Sequence, residues 1–211
     1  MRTRFAILLV LLVTITFLTA TPQGKAAVKT ALFISQVVPA IPSQSWFQSD
    51  PIRERIQIHT PEGLRMADLY RPTGEGPYAA TVFFLGVAPA GPEDPRVVNL
   101  ASALARSDMV ALIYWSPEKL EGNIHGPDIA NLVAAFQFVQ ALPMVNKDRV
   151  GLAGFCVGAS FALMAAAQPE VQDEIAFVNA FGPYYRLTDL ARAIGTRSRF
   201  SGDARIEWDP G

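Results

Sequence analysis

From residue 53 onward, short apolar segments alternate with amphipathic segments of helical period. The strand-like segments are TVFFL (81–85), MVALIY (109–114), RVGLA (149–153) and EIAFVNAF (174–181). Helical stripes separate them, the first two beginning at Asp94-Pro95 and at Pro127-Asp128. This alternation builds a mostly parallel sheet with helices on both faces, because parallel strands need crossover connections. The sequence therefore predicts an α/β fold for residues 53–211.

The two ends of this predicted domain differ in character. RERIQIH (53–59) and the segment 64–70 flank a Pro-Glu-Gly turn, which predicts an antiparallel opening hairpin. At the other end, a helix is expected at 187–194, and the chain beyond residue 195 is expected to be irregular, with Asp203 and Asp209 solvated. The apolar segment 174–181 would then have no outer neighbour, so we expect a C-terminally incomplete domain.

The N-terminus follows the plan of an export signal. Arg2 and Arg4 precede the uncharged run Ala6 to Ala20. Residues 1–22 are therefore predicted to be a signal peptide or, if uncleaved, a membrane anchor, with the following domain outside the cytoplasm. Residues 23–52 are interpreted as a linker whose apolar stretch at 31–41 either lies on the membrane surface or packs on the domain.

Charge and cysteine content exclude several classes of function. The formal net charge is −1, without a basic cluster, which argues against a nucleic-acid partner. One cysteine and two histidines supply neither an intrachain disulfide nor a Cys/His zinc site. Cys156 is therefore either an apolar core residue or a reactive group.

The segment Gly154-Phe155-Cys156-Val157-Gly158 stands between a predicted strand and a predicted helix. A G-x-nucleophile-x-G motif in this context forms a sharp turn that exposes its central residue, and the flanking positions must be small. The helix start also favours a thiolate over a thiol. In this architecture the oxyanion donors are the N–H of the next residue, Val157, and an N–H of the loop after the third strand, for which Val87 is the candidate.

Three further residues are candidates for a substrate pocket. Tyr184 and Tyr185 follow the last predicted strand, where they either line a pocket or pack in the core. His125 lies in the loop after 109–114, on the side where active sites open, and could touch a substrate. His59 alternates outward from the apolar residues of its strand and is interpreted as a solvated surface residue.

The stretch PMVNKDRVGLAGFCVGAS (143–160) resembles the nucleophile region of α/β-hydrolases, and its cysteine resembles that of the dienelactone hydrolase family. The resemblance implies a Cys-His-Asp triad that opens a lactone or cleaves a small ester through an acyl-enzyme, without metal or organic cofactor. Cys156 is the triad member that the sequence matches. The implied Asp and His are expected beyond residue 211, and the carboxylate that the family carries after its third strand has no match near Val87.

Two alternatives remain open at the level of sequence. A non-catalytic, membrane-associated binding protein could keep the hydrolase scaffold, because fold alone does not determine activity. Class I glutamine amidotransferases also use G-x-C-x-G, although a motif this late in the chain suits a hydrolase better. The leading interpretation is an ester or lactone hydrolase.

Overall fold

The computed structural model describes residues 12–37, 49–86, 91–184, 186–201 and 204–207. The strands of the main sheet are β1 (Ile52–Thr60), β2 (Gly63–Arg71), β3 (Tyr78–Phe84), β4 (Met109–Tyr114), β5 (Val145–Phe155) and β6 (Phe177–Phe181). Their order is β1-β2-β4-β3-β5-β6. The pairs β1/β2 and β2/β4 are antiparallel, whereas β3/β4, β3/β5 and β5/β6 are parallel. The predicted opening hairpin and mostly parallel sheet are confirmed.

Helices cover both faces of this sheet. They are α1 (described over 12–20), α2 (Pro22–Val37), α3 (Pro95–Arg106), α4 (Pro117–Leu120), α5 (Asp128–Gln140), α6 (Val157–Ala166) and α7 (Leu187–Thr196). One buried apolar cluster joins α5 and α6 to the sheet, and a second joins α3 to the opposite face. Within β3, Val82 and Phe84 enter the first cluster and Phe83 the second. Burial on both faces explains why the central strands are continuous apolar runs.

The predicted start of α3 is confirmed by its cap. The Asp94 carboxylate accepts a hydrogen bond from the Arg96 N–H at 2.9 Å, and Pro95 occupies the first helical turn. The proline has no N–H to leave unsatisfied, and the aspartate satisfies a donor that the helix cannot.

A buried carboxylate explains the two arginines of β1. Asp68 on β2 is only 1% exposed. Its oxygens accept hydrogen bonds from Arg53 Nη2 at 3.1 Å, Arg55 Nε at 2.9 Å and the Trp115 indole N–H at 2.9 Å. Because a buried charge must be paired and hydrogen-bonded, these contacts fix the hairpin against β4.

The N-terminal part of the predicted linker is wrong, since residues 22–37 form α2. The helix lies on α3, where Lys29 Nζ is 2.6 Å from Asp108 Oδ2 and Arg106 Nη1 donates to Gln36 Oε1 at 3.2 Å. The described part of the apolar stretch lies in this helix, where Leu32, Ile34 and Val37 are exposed, so both placements considered for it stay predictions.

The export segment lies only partly within the described residues. Residues 1–11, with the charged start and the first half of the apolar run, are outside them. Among the helices described, none has the length and apolar character needed to cross a membrane. A signal peptide or anchor, and a location outside the cytoplasm, therefore stay predictions.

The expectation of an irregular chain beyond residue 195 is also wrong. β7 (Ser198–Ser201) and β8 (Ala204–Glu207) form a separate antiparallel pair. Four-residue strands rich in arginine and serine lack the apolar alternation by which strands are recognised. Asp203 and Asp209 lie outside the described residues. In the main sheet β6 is the terminal strand and begins at Phe177, three residues later than expected.

Candidate functional site

Cys156 occupies a sharp turn between the end of β5 and the start of α6. Its backbone has φ 55° and ψ −127°, a positive φ that non-glycine residues rarely adopt, and the residue is exposed. A conformation of this kind costs about 1–3 kcal/mol and persists only where surrounding contacts enforce it. The predicted turn is present, whereas the role of Cys156 as nucleophile stays a prediction.

Close backbone packing around the turn requires three glycines. A β-carbon at Gly154 would lie 2.5 Å from the Gly158 carbonyl oxygen, and one at Gly158 would overlap the carbonyl oxygens of Phe84 and Leu85. A β-carbon at Gly86 would lie 3.1 Å from the Cys156 β-carbon. The end of β3 thus passes directly beside the cysteine. The need for small residues at 154 and 158, which the motif predicted, is confirmed.

Backbone hydrogen bonds hold the turn on both sides. The Cys156 N–H donates to the Phe181 carbonyl at 2.8 Å, and the Cys156 carbonyl accepts from the Ala159 N–H at 3.1 Å. Val157 is the first residue of α6, so its N–H belongs to the helix donors that lack an intrahelical acceptor. Val87, the other predicted oxyanion donor, lies outside the described residues, and the described part of its loop ends at Gly86.

An apolar cavity of about 390 Å³ adjoins the turn. Its lining residues are Val157, Ser160, Phe161, Leu163, Met164, Pro183 and Tyr184. Ser160 Oγ donates to the Tyr184 carbonyl at 3.0 Å and accepts from the Tyr184 N–H at 2.8 Å, which fixes the loop after β6 against α6. Tyr184 therefore lines the cavity beside the elbow and also packs against the core, and its contact with a substrate stays a prediction. Tyr185 lies outside the described residues, and Ser160 carried no signal beyond its small polar side chain.

A larger cavity, of about 540 Å³, lies elsewhere in the molecule. It is bordered by α2 and by the first residues of β3 and β4, including Tyr78 and Met109. Because β3, β4 and β5 run parallel, this cavity is at the edge of the sheet opposite to Cys156. It does not contribute to the elbow site.

Sequence reasoning missed Lys119, a buried cation on α4. The residue is 2% exposed, and its ammonium nitrogen lies 3.8 Å and 4.4 Å from the ring centroids of Phe84 and Phe161. Burial lowers the pKa of Lys119 to about 8, against the opposing attraction of Asp128 and of Cys156. A Pro-Glu-Lys-Leu segment looks like a solvated turn, and only the aromatic pair from distant segments reveals its burial.

The buried carboxylate of Asp128 lies at the start of α5. Its Oδ1 accepts from the Tyr114 hydroxyl at 3.1 Å and from Asn131 Nδ2 at 3.4 Å. Among the described residues no hydrogen-bond partner is found for its buried Oδ2. Burial and the charge of Asp128 together raise the pKa of Tyr114, which keeps that phenol protonated as a donor.

His125 is hydrogen-bonded to a carboxylate, and His59 lies far from the Cys156 turn. His125 Nε2 lies 2.9 Å from both carboxylate oxygens of Glu62, in the turn between β1 and β2. Asn131 Nδ2 donates to the same carboxylate at 2.7 Å. His59 is an exposed residue of β1, four strand positions from β5, or roughly 19 Å at the usual strand spacing. The His125 imidazole thus contacts the hairpin turn, and contact with a substrate stays a prediction.

The Glu62–His125 pair predicts a pH-dependent coupling. The Glu62 carboxylate raises the pKa of His125, so the pair stabilises the fold below the unfolded pKa of histidine and loses that contribution as the pH rises through the folded pKa. We expect a double-mutant cycle with Glu62→Gln and His125→Gln to give larger coupling in Tm at pH 5.5 than at pH 8.5. Equal coupling at both pH values would contradict a charged pair.

Comparison with known protein families finds a match that includes the turn at Cys156. Residues 119–193 match the model of the dienelactone hydrolase family. The matched segment runs from Lys119 through Cys156 into α7. It leaves out the first four strands of the sheet, β1 to β4, and the helices α2 and α3.

Individual relatives cover more of the chain. A "Probable 2-oxo-3-(5-oxofuran-2-ylidene)propanoate lactonase" of Bradyrhizobium sp is 27% identical, over 58% of this chain and 54% of that protein. The structure of a hyperthermophilic esterase from Pyrobaculum calidifontis aligns with a TM-score of 0.53 at 17% identity, covering 74% of this chain and 49% of the esterase. A dienelactone hydrolase from Anabaena variabilis aligns with a TM-score of 0.52 at 22% identity, covering 69% and 68%.

The chain spans about half the length of the lactonase and of the esterase that it matches. At these identities the structural matches establish the fold. The sequence match adds a resemblance to the dienelactone hydrolase family for the segment that holds the elbow. The chain therefore has the α/β-hydrolase fold and resembles the dienelactone hydrolase family over residues 119–193.

Proposed function

We propose that the protein hydrolyses a carboxylic ester or lactone, with Cys156 as the nucleophile. The observation that carries this proposal is the exposed cysteine at a positive-φ turn between β5 and α6, inside the segment that resembles dienelactone hydrolases. The curated relative is named as a lactonase, which supports the same class of small-molecule substrate.

The proposed reaction proceeds through a thioester. The Cys156 thiolate attacks the carbonyl carbon, and the carbonyl π electrons move to the oxygen, which the N–H groups of Val157 and Val87 would stabilise. Collapse of this adduct breaks the bond to the leaving oxygen, which takes up a proton. Water then attacks the thioester, releasing the carboxylic acid and returning the thiol. These steps call for no metal or organic cofactor.

The general base is not assigned to either histidine of the sequence. The resemblance gives this role to a histidine held by an aspartate, but His125 is hydrogen-bonded to Glu62 and His59 lies on β1. The apolar cavity beside Val157 and Tyr184 is the proposed site for the apolar part of the substrate.

The test compares wild type with Cys156→Ala on p-nitrophenyl acetate and on a small aromatic lactone. We expect the variant to lose at least about 10³-fold in kcat/KM, because no other nucleophile replaces the thiol. Brief incubation of wild type with the ester should also add one acyl mass to the peptide that contains Cys156. Unchanged circular dichroism and Tm serve as controls for folding.

Wild-type turnover by Cys156→Ala would refute the nucleophile. The alternative, a non-catalytic binding protein on the same scaffold, is favoured by the engagement of His125 with Glu62, which leaves that imidazole occupied. It would gain support if the wild-type protein bound the lactone without hydrolysing it and without forming the acyl adduct.

A further inference from the structure

Lys119 carries a positive charge that the surrounding residues do not neutralise by contact. The described residues give it no ion pair, and its hydrogen bond runs to the Leu85 carbonyl at a long 3.4 Å. The rest of its surroundings are the faces of Phe84 and Phe161. A buried ammonium with so few acceptors costs stability, which raises the question of what its charge does.

The position of this ammonium connects it to the elbow. Leu85, whose carbonyl it contacts, immediately precedes Gly86, and Gly86 packs against the β-carbon of Cys156. Phe161, whose ring it faces, belongs to the first turns of α6, directly after Cys156. The two aromatic residues and the Leu85 carbonyl therefore hold the charge between the end of β3 and the start of α6, the two elements that form the site.

Two acidic residues raise the pKa of Lys119 against the larger effect of its burial. Attraction to Asp128 and to the Cys156 thiolate favours its charged form. Asp128 is in turn held by Tyr114 and Asn131, which fixes its carboxylate at the start of α5. A positive charge held between the end of β3 and the start of α6 attracts negative charge that develops beside it during a reaction.

We propose that Lys119 supplies a fixed positive charge to the Cys156 site, where it stabilises the negative charge of the sulfur and of the oxyanion that forms on attack. Lys119 does not touch the reacting atoms. It acts on them through its electric field, and it is held in place by its hydrogen bond to the Leu85 carbonyl. This proposal rests on the proposed function, because Lys119 would favour the negatively charged intermediate of the proposed hydrolysis.

The test uses two alkylating reagents that differ in charge. The Cys156 thiolate displaces iodide from neutral iodoacetamide and from anionic iodoacetate, forming the same carbon–sulfur bond and releasing iodide. Since the same thiolate attacks both, the ratio of the two rates reports the potential felt by a negative charge at the site. We expect Lys119→Met to lower the iodoacetate-to-iodoacetamide ratio by about five- to ten-fold relative to wild type.

Two further variants separate charge from structure. Lys119→Arg should keep the ratio within about two-fold of wild type, because it keeps the cation and its stacking on aromatic rings. Lys147→Met removes an exposed charge from the other end of β5, and the ratio should not change. Methionine fills the apolar space between the two rings, so Lys119→Met is expected to fold, which circular dichroism checks.

The readout does not depend on turnover. A lower iodoacetate-to-iodoacetamide ratio in Lys119→Met, together with a ratio near wild type in Lys119→Arg, would support the proposal even if no ester were hydrolysed. In that case only the proposed function would fail. The rates are compared at pH 7, where Lys119 is charged. An unchanged ratio in Lys119→Met, an equal fall in Lys147→Met, or a thiol that reacts with neither reagent at pH 7 would each overturn it.

Discussion

Replacing Gly158 by alanine is expected to destabilise the protein by about 3–5 kcal/mol, more than a usual overpacked core position. The added β-carbon would overlap the carbonyl oxygens of Phe84 and Leu85. Both atoms belong to the backbone at the end of the central strand β3, so they cannot move aside as a flexible side chain can. Urea denaturation followed by circular dichroism measures the change in the free energy of unfolding.

The matched control is Gly195→Ala. Gly195 lies in α7, and a β-carbon there meets no atom within 4 Å. Alanine is favoured over glycine in helices by about 1 kcal/mol, so this variant should be neutral or slightly stabilised. If Gly158→Ala unfolded at the same urea concentration as Gly195→Ala, the close approach of β3 to α6 would be refuted.

Replacing Lys119 by methionine should stabilise the protein by about 1–3 kcal/mol at pH 7, against the usual trend for buried substitutions. Burial lowers the pKa of Lys119 to about 8 from 10.5, which means that the folded state holds this proton less tightly than the unfolded state does. Below pH 8 the folded state therefore bears the full cost of the buried charge. Methionine removes that cost and keeps the contact with both rings.

The pH dependence of the free energy of unfolding independently checks whether the charge of Lys119 destabilises the folded state. Between about pH 8 and pH 10.5 the unfolded chain binds more protons at Lys119 than the folded chain, so wild-type stability should gain from rising pH at this site. The advantage of Lys119→Met in the free energy of unfolding should shrink over the same range. A constant difference from pH 7 to pH 10, or a destabilised variant at pH 7, would contradict a costly buried cation.

The sequence predicted the elements whose signals are local. Met109–Tyr114 was predicted with both its ends, because a short continuous apolar run is typical of a strand covered on both faces. The start of α3 followed from Asp94 and Pro95, whose capping geometry needs no tertiary partner. The turn at Cys156 followed from glycine spacing, and the clash that excludes a side chain at Gly154 is local, because it involves the backbone of Gly158 and Ala159.

The missed features depend on distant partners. The burial of Lys119 is determined by Phe84 and Phe161, which the chain brings together only after the sheet has formed. The arginines of β1 take their role from Asp68 on the neighbouring strand. Helix α2 was interpreted as a linker because Gln36 and Pro39 interrupt its apolar stretch, whereas in the fold it lies on α3.

The hydrogen bond from the Cys156 N–H to the Phe181 carbonyl means that β6 helps to fix the orientation of the Cys156 backbone. Phe155 and Phe181 are register partners of β5 and β6, and their rings stack with centroids 5.0 Å apart. Sliding β6 by one residue would exchange its faces and remove this acceptor from beneath the cysteine. Strand register usually determines which side chains face the core and which face solvent. Here the register of β6 against β5 also determines whether the Cys156 backbone keeps its hydrogen-bond acceptor.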